Sequence, residues 1–214
     1  YEQTYPFTWL GILSASKPAS SELVYATHER GFALFSMRGP QISRSYLQCR
    51  ADTQLDDWPD EKVWDELRLR LGGQAALALP SGPVLDKSIT SMRSFVAEPL
   101  RHGRMFLAGD AGHIVPPTGA KGLNLAASDV HYLACALTAF YRDGDSRLLD
   151  QYSATALRRI WKAQRFSWWM TKLLHAVPDA TSYEKKVQAA ELEYVLSSRA
   201  AMTALAENYV GLPY

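Results

Sequence analysis

Cysteine is nearly absent from this chain. Its 214 residues hold two, Cys49 and Cys135, far apart and with no CxxC. That excludes a disulfide scaffold, and both thiols read as reduced core residues of a cytoplasmic protein. The five histidines show no HxxxH or comparable ligand spacing, so no metal is expected. Charge of either sign is not in excess: 23 Lys and Arg against 22 Asp and Glu leave +1, which gives no electrostatic case for nucleic acid or an acidic membrane. No apolar run approaches the ~20 residues of a membrane span, and no signal-peptide pattern is seen. The GxGxxG fingerprint that cradles the ADP half of a dinucleotide does not occur. Internal repeats and low-complexity segments are missing too. What is there, 47% hydrophobic and 21% charged residues, is the composition of a globular chain with a substantial core.

The most informative stretch is residues 103 to 129, GRMFLAGDAGHIVPPTGAKGLNLAASD. Met105-Phe106-Leu107-Ala108 is short and apolar enough for a buried strand. Gly109-Asp110 ends it, and a loop with Pro116, Pro117 and Gly119 follows. Gly122-Leu123-Asn124 then opens a helix to about Tyr141. The first N–H groups of a helix lack intrahelical partners, so this strand, loop and helix start form an anion-receptive crevice. Asp110 can accept from the hydroxyls of a polyol, and Gly119, Ala120 and Gly122 are small enough to let a flat ring approach. Taken alone, an Asp after a strand is as often a turn former.

The run as a whole resembles the second flavin-binding motif of the single-component aromatic hydroxylases: GDAAH, four residues, Pro-x-x-Gly, then Gly-x-Asn and an Asp. The Ala120-Lys121 pair, where many relatives carry Gly-Gln, is similar to the 4-hydroxybenzoate hydroxylase branch. Gly112 stands where alanine is usual, a difference of one methyl expected to be tolerated. The resemblance covers essentially all 214 residues. It implies that the family's N-terminal Rossmann portion is missing and that this is a C-terminal piece of the full enzyme.

Residues 1 to 49 read as β, with strands at 7–13, 22–27, 31–38 and 42–49. Ser36 and Arg38 share one strand face, and Arg44 and Tyr46 share one face of the next. If Arg38 pairs with Arg44 across a loop of residues 39 to 43, Ser36 pairs with Tyr46. Two arginines, a serine and a tyrosine then converge on one patch suited to a small carboxylate. Such alternation more often marks a solvated face. The resemblance implies that Ser36, Arg38 and Tyr46 hold the substrate carboxylate, that Arg44 lies by the flavin, and that Tyr25 hydrogen-bonds the phenol oxygen.

Farther on, 56 to 71 reads as a helix with Val63, Trp64, Leu67 and Leu71 on its apolar side, ended by Gly72-Gly73. Residues 74 to 82 read as a loop or weak helix, and 84 to 97 as a long strand carrying Arg93, which the resemblance implies in nicotinamide-cofactor contact. The helix from Gly122 shows Leu123, Ala127, Val130, Ala134 and Leu137 on one face, with Gly144 as its stop. Asp145 or Ser146 then caps a long helix to about His175, rich in Arg and Trp (Arg158, Arg159, Trp161, Arg165, Trp168, Trp169) and read as core plus subunit interface. Shorter helices follow near 181–197 and 199–207.

The expected fold is α+β: a mixed β-sheet substrate-binding part at 1–100, a flavin-binding strand-loop-helix at 101–143, and a helical interface part at 144–214. These are halves of one interdigitated structure more than separable domains. The resemblance implies FAD as cofactor, NADPH or NADH as electron donor, a phenolic acid as substrate and a homodimer as assembly. Tyr25, Tyr209 and the Pro117 carbonyl would serve the phenol. Asp110 would hold the ribityl chain, and the N–H groups of Leu123 and Asn124, with Lys121, would meet the flavin's pyrimidine edge.

Overall fold

The computed structural model describes residues 1–211, so the last three residues of the part expected at 144–214 lie outside the described residues. The chain is α+β. Its strands are β1 (Glu2–Ser14), β2 (Val24–Ala26), β3 (Ala33–Gly39), β4 (Ile42–Arg50), β5 (Val84–Val96), β6 (Arg101–His102), β7 (Met105–Phe106) and β8 (His113–Ile114). Its helices are α1 (Asp60–Leu71), α2 (Gly73–Leu77), α3 (Gly122–Asp143), α4 (Arg147–Leu174), α5 (Ser182–Ser197) and α6 (Arg199–Val210). No helix among the described residues is long and apolar enough to cross a membrane. The chain divides into two compact units: a sheet unit of Tyr5–Met92 and Leu174–Gln188, and a helical unit of Tyr1–Thr4, Arg93–Leu173 and the residues from Ala189 on. The change of unit thus falls at 92/93 where the sequence places a boundary near 100, and a piece of the helical tail, Leu174–Gln188, belongs with the sheet.

In the sheet unit the strand order is β2-β3-β4-β1-β5. Alternation does the sorting. Leu10 and Ile12 of β1, Ala33 and Phe35 of β3, and Leu47 and Cys49 of β4 all point to one face, where Val63, Trp64 and Leu67 of α1 cover them. Burial, opposed by the charge of Arg70, pushes the Cys49 thiol up to about 11, so it stays protonated and inert. One ion pair is carried inside this layer. Arg70 gives Nε to Glu66 at 3.1 Å and Nη1 to the carbonyls of Gln48 (2.7 Å) and Phe32 (3.2 Å), and Arg30 also pairs with Glu66. The opposite face carries an aromatic stack. His175, from the returning segment, accepts from Trp9 Nε1 at 2.7 Å, lies parallel to Phe7 (4.7 Å, 11°) and leans on Phe32 (4.5 Å).

In the helical unit Val96, Leu100, Val115, Leu125, Tyr152, Ala156, Leu157 and Ile160 form the core. Gln164 of α4 binds the carbonyls of Phe95 and Ile114, fixing β5 against β8. Three expectations are corrected here. Met105-Phe106-Leu107-Ala108 is not a buried strand: among the described residues β7 pairs only with β6, across a tight turn at Gly103, and Met105 is 56% exposed. The apolar stripe at Leu123, Val130 and Leu137 of α3 faces outward, Leu123 being 83% exposed, while Leu125, Ser128, Asp129 and Ala136 are buried. Counting apolar residues misses that face because two of its members are polar. Cys135 is exposed for the same reason, since it does not lie on the buried side.

Candidate functional site

On the sheet unit, cross-strand register decides what converges. Tyr25 stands opposite Leu34, Leu34 opposite Tyr46, and Tyr46 opposite Gly11, one row across β2, β3, β4 and β1. In the next row Ser36 stands opposite Arg44, and Arg44 opposite Leu13. Directly opposed residues share a face, so Tyr25, Ser36, Arg44 and Tyr46 are brought together on one side. The expected pairing of Arg38 with Arg44 and Ser36 with Tyr46 is corrected. The β3–β4 loop is only Pro40-Gln41, Gly39 faces Ile42, and the register shifts between Met37 and Gly39, so exposed Arg38 falls at a β-bulge.

The polar groups of this face are partly spoken for. Ser36 donates to the Arg44 carbonyl at 3.0 Å. Arg44 lies 3.8 Å from Asp86 and 5.8 Å from the centroid of the Tyr46 ring. Its Nε–H is buried without a hydrogen-bond partner among the described residues, a donor awaiting an acceptor. Gly11 is a contributor the sequence reading passed over. A Cβ there would sit 3.2 Å from Tyr46 Cε1 and 3.3 Å from Ser88 Oγ, so its bareness lets the ring lie down across β1.

On the helical unit, Gly109–Ala111 forms a single 3-10 turn with Gly109 at φ +59°, and Asp110 is exposed on it. The turn is clamped from behind. Asp129 Oδ2 accepts the Gly109 N–H at 2.9 Å and meets His113 Nε2 at 2.6 Å, both side chains being buried. Neither Asp129 nor His113 was singled out from the sequence, although both are letters of the quoted run. Pro117 is exposed, and its carbonyl accepts the Ala120 N–H at 2.9 Å, with Ala120 in the left-handed region at φ 51°.

The glycines of this loop answer differently from expectation. A Cβ on Gly119 would stand 2.9 Å from Ser167 Oγ and 3.3 Å from Phe166, so here smallness serves the packing of α4. Gly119→Ala should therefore lose about 1–3 kcal/mol, the usual cost of overpacking, read as a lower denaturation midpoint. A Cβ on Gly112 would meet buried Leu100 Cδ2 at 2.9 Å, so the extra methyl is not free in this chain. Gly122 alone has room, its nearest neighbour being Val115 at 4.0 Å.

At the start of α3, Gly122, Leu123 and Asn124 precede the first bond of the helix, from the Leu125 N–H to the Lys121 carbonyl. The side chains of Leu123 and Asn124 are exposed. Lys121 is buried. Its ammonium donates to the Tyr209 carbonyl and lies 5.4 Å from the Phe166 ring and 5.8 Å from the Tyr209 ring. Burial, then the nearby Arg159, hold it below the ordinary lysine range. Lys121 thus ties the loop to the end of α6 as well as adding positive potential beside α3. Tyr209 is half-buried, its ring edge-on to Phe166. Arg93 is half exposed and lies 3.6 Å from Glu2. Within the helical unit, the open helix start beside the clamped turn fits the anionic, polyol-bearing part of a group such as a flavin.

The fold is similar to p-nitrophenol 4-monooxygenase PnpA from Pseudomonas putida DLL-E4 (TM-score 0.76, 17% identity, all of this chain and 55% of that one). It is also similar to the Diels-Alderase PyrE3 of pyrroindomycin biosynthesis (TM-score 0.74, 20% identity, all of this chain and 46% of that one). The chain belongs to the FAD binding domain family, whose model matches residues 1–167. It is 53% identical over all 214 residues to the p-hydroxybenzoate hydroxylase of Acinetobacter baylyi, and spans 53% of that protein's length.

Proposed function

We propose that the chain is the C-terminal part of a flavin-dependent monooxygenase that converts 4-hydroxybenzoate to 3,4-dihydroxybenzoate with NAD(P)H and O2. The observation that carries this is the single sheet face on which Tyr25, Ser36, Arg44 and Tyr46 meet. The 53% identity to a p-hydroxybenzoate hydroxylase supports it. The fold alone does not, since a Diels-Alderase shares it.

FAD, when bound, supplies the oxygen activation. Asp110 would accept from its ribityl hydroxyls, the N–H groups of Leu123 and Asn124 would meet its pyrimidine edge, and Lys121 would add positive potential there. Arg44 keeps a buried N–H for an acceptor on the sheet face, and Arg93 would meet the nicotinamide donor. Ser36 and Tyr46, with Arg38 from the bulge that follows Ser36 on β3, would hold the substrate carboxylate and so fix which ring carbon reacts. A phenol ionises near ~10. Tyr25 would accept from the phenol hydroxyl as its proton leaves. The exposed Trp161 and Trp168 of α4 support a homodimer.

A second reading concerns the chain alone. With no GxGxxG it has no cradle of that kind for the flavin's diphosphate, so it holds FAD weakly and turns over little. Absorbance titration of the purified chain with FAD, then with 4-hydroxybenzoate and its 3-hydroxy isomer, tests both. The expected result is weak flavin binding with a spectral shift larger for the 4-isomer. A stable stoichiometric FAD complex overturns the weak-binding reading. Equal shifts from both isomers, or none at saturating FAD, overturn the assignment of the sheet face.

A further inference from the structure

His175 is fully buried in the sheet unit. Its ring lies against Phe7, Trp9 and Phe32. Phe7 and Trp9 fall on the opposite side of β1 from Leu10 and Ile12, which is the side of Gly11 and Tyr46. An indole N–H can only donate, so the 2.7 Å bond from Trp9 makes His175 Nε2 the acceptor and leaves the proton of the neutral imidazole on Nδ1. The backbone on which the ring sits is fixed as well. Gln188 Nε2 donates to the His175 carbonyl at 2.8 Å, and Gln48 Oε1 accepts both the Ala176 N–H (3.0 Å) and the Phe32 N–H (2.9 Å). A buried histidine among aromatic rings is most often core and nothing else. Here the two rings it holds touch the candidate substrate groups in turn. Trp9 packs against Tyr46 (centroids 5.0 Å apart, 46°), and Phe32 against Tyr25 (5.8 Å, 38°). Tyr46 also lies over bare Gly11, so Trp9 is the large β1 side chain beside it.

We propose that His175 is a positioning residue for this sheet face: it holds Trp9 through a hydrogen bond and Phe32 through its ring, and so sets where Tyr46 and Tyr25 stand. The inference rests on the reading above, in which those tyrosines meet a phenolic acid. Side chains that hold a small ligand need their own rotamers locked by the residues behind them, and a displacement of about 1 Å can cost about 100-fold in rate. The two properties of the imidazole serve different ends of the ligand. The acceptor nitrogen governs Trp9 and, through it, the carboxylate end at Tyr46. The ring plane governs Phe32 and, through it, the phenol end at Tyr25.

Two substitutions separate the acceptor from the ring. His175→Gln keeps an acceptor for the Trp9 N–H, and His175→Phe keeps a stacking ring without one. Calorimetric titration of the chain with 4-hydroxybenzoate at saturating FAD should give about tenfold weaker binding in His175→Phe, recovered to within about threefold of wild type in His175→Gln. Exchange of the Trp9 indole N–H, followed by NMR without ligand, should be faster in His175→Phe than in the other two. FAD affinity should hold in all three, because the groups assigned to FAD lie on the helical unit, whereas a general loosening of the fold would lower both affinities. Trp9→Phe removes the same bond from its donor end and should weaken 4-hydroxybenzoate by a similar factor; it carries the test if His175→Phe does not fold, as judged by circular dichroism. A wild type that does not bind 4-hydroxybenzoate overturns the assignment of the face, and this inference with it. A wild type that binds, with His175→Phe binding equally well or His175→Gln as weak as His175→Phe, overturns this inference alone.

Discussion

Glu66→Gln is expected to destabilise the sheet unit by about 3–5 kcal/mol, because it leaves Arg70 charged and buried without a counter-ion. Arg70 cannot escape to water. It is 5% exposed and held by the Gln48 and Phe32 carbonyls. Those carbonyls solvate the guanidinium but do not neutralise it. Exposed Arg30 would lose only a rim pair and should matter little by itself. Denaturant unfolding of the wild type, Glu66→Gln and the double variant Glu66→Gln, Arg70→Met separates the terms. Removing both charges should recover most of the loss, and a double variant as unstable as the single one would contradict this account. The pair also sets an acid limit. Burial alone would raise the Glu66 carboxyl, but the hydrogen bond from Arg30 and the charge of Arg70 outweigh it and hold it below the usual range. A depressed folded-state value contributes stability that is fully present above the unfolded value of ~4.3 and lost as pH falls through the depressed one. Wild type should weaken across that window, and Glu66→Gln should lack this component.

The second large effect is at Asp129. Asp129→Ala strands two donors that face it, the Gly109 N–H and, in the tautomer that satisfies the carboxylate, His113 Nε2–H. Each stranded donor costs ~1–3 kcal/mol, and His113 Nδ1 is already without a partner among the described residues. The loss is expected to be local first. Hydrogen exchange at the Gly109 amide should rise by orders of magnitude while amides of β1 and β4 hold their rates. Asp129→Asn keeps one acceptor and should fall between. Equal protection of Gly109 in all three proteins would show that the turn does not depend on this clamp.

Much of the architecture was readable from residue order because local chemistry agrees with the fold. Gly72 and Gly144 end α1 and α3 in positive-φ conformations, and two-residue periodicity finds the four strands before residue 50. What could not be read depends on single backbone irregularities or distant partners. The two-residue loop and the bulge beside Arg38 together set Ser36, not Arg38, opposite Arg44, an offset that alternation does not encode. The buried side of α3 carries Asp129 on His113 together with Leu125 and Ala136, and not the stripe of Leu123, Val130 and Leu137. His175 stacks on Phe7 and Phe32 from more than a hundred positions away. At the candidate site, Tyr25, Ser36, Arg44 and Tyr46 were legible as types on strands, whereas Gly11 matters only once Tyr46 is seen lying over it.

The path of the chain has a consequence for how such a protein is taken apart. It passes from one unit to the other after Thr4, after Met92, after Leu173 and after Gln188. No single cut therefore releases either unit whole. A stop codon before residue 174 would strip the sheet of the histidine stacked on Trp9, and a start after residue 4 would deprive Arg93 of Glu2. Gene fusions, split reporters and limited digestion will each find the two units inherited together, and swapping one for a relative's counterpart requires exchanging at least two separate stretches of the coding sequence.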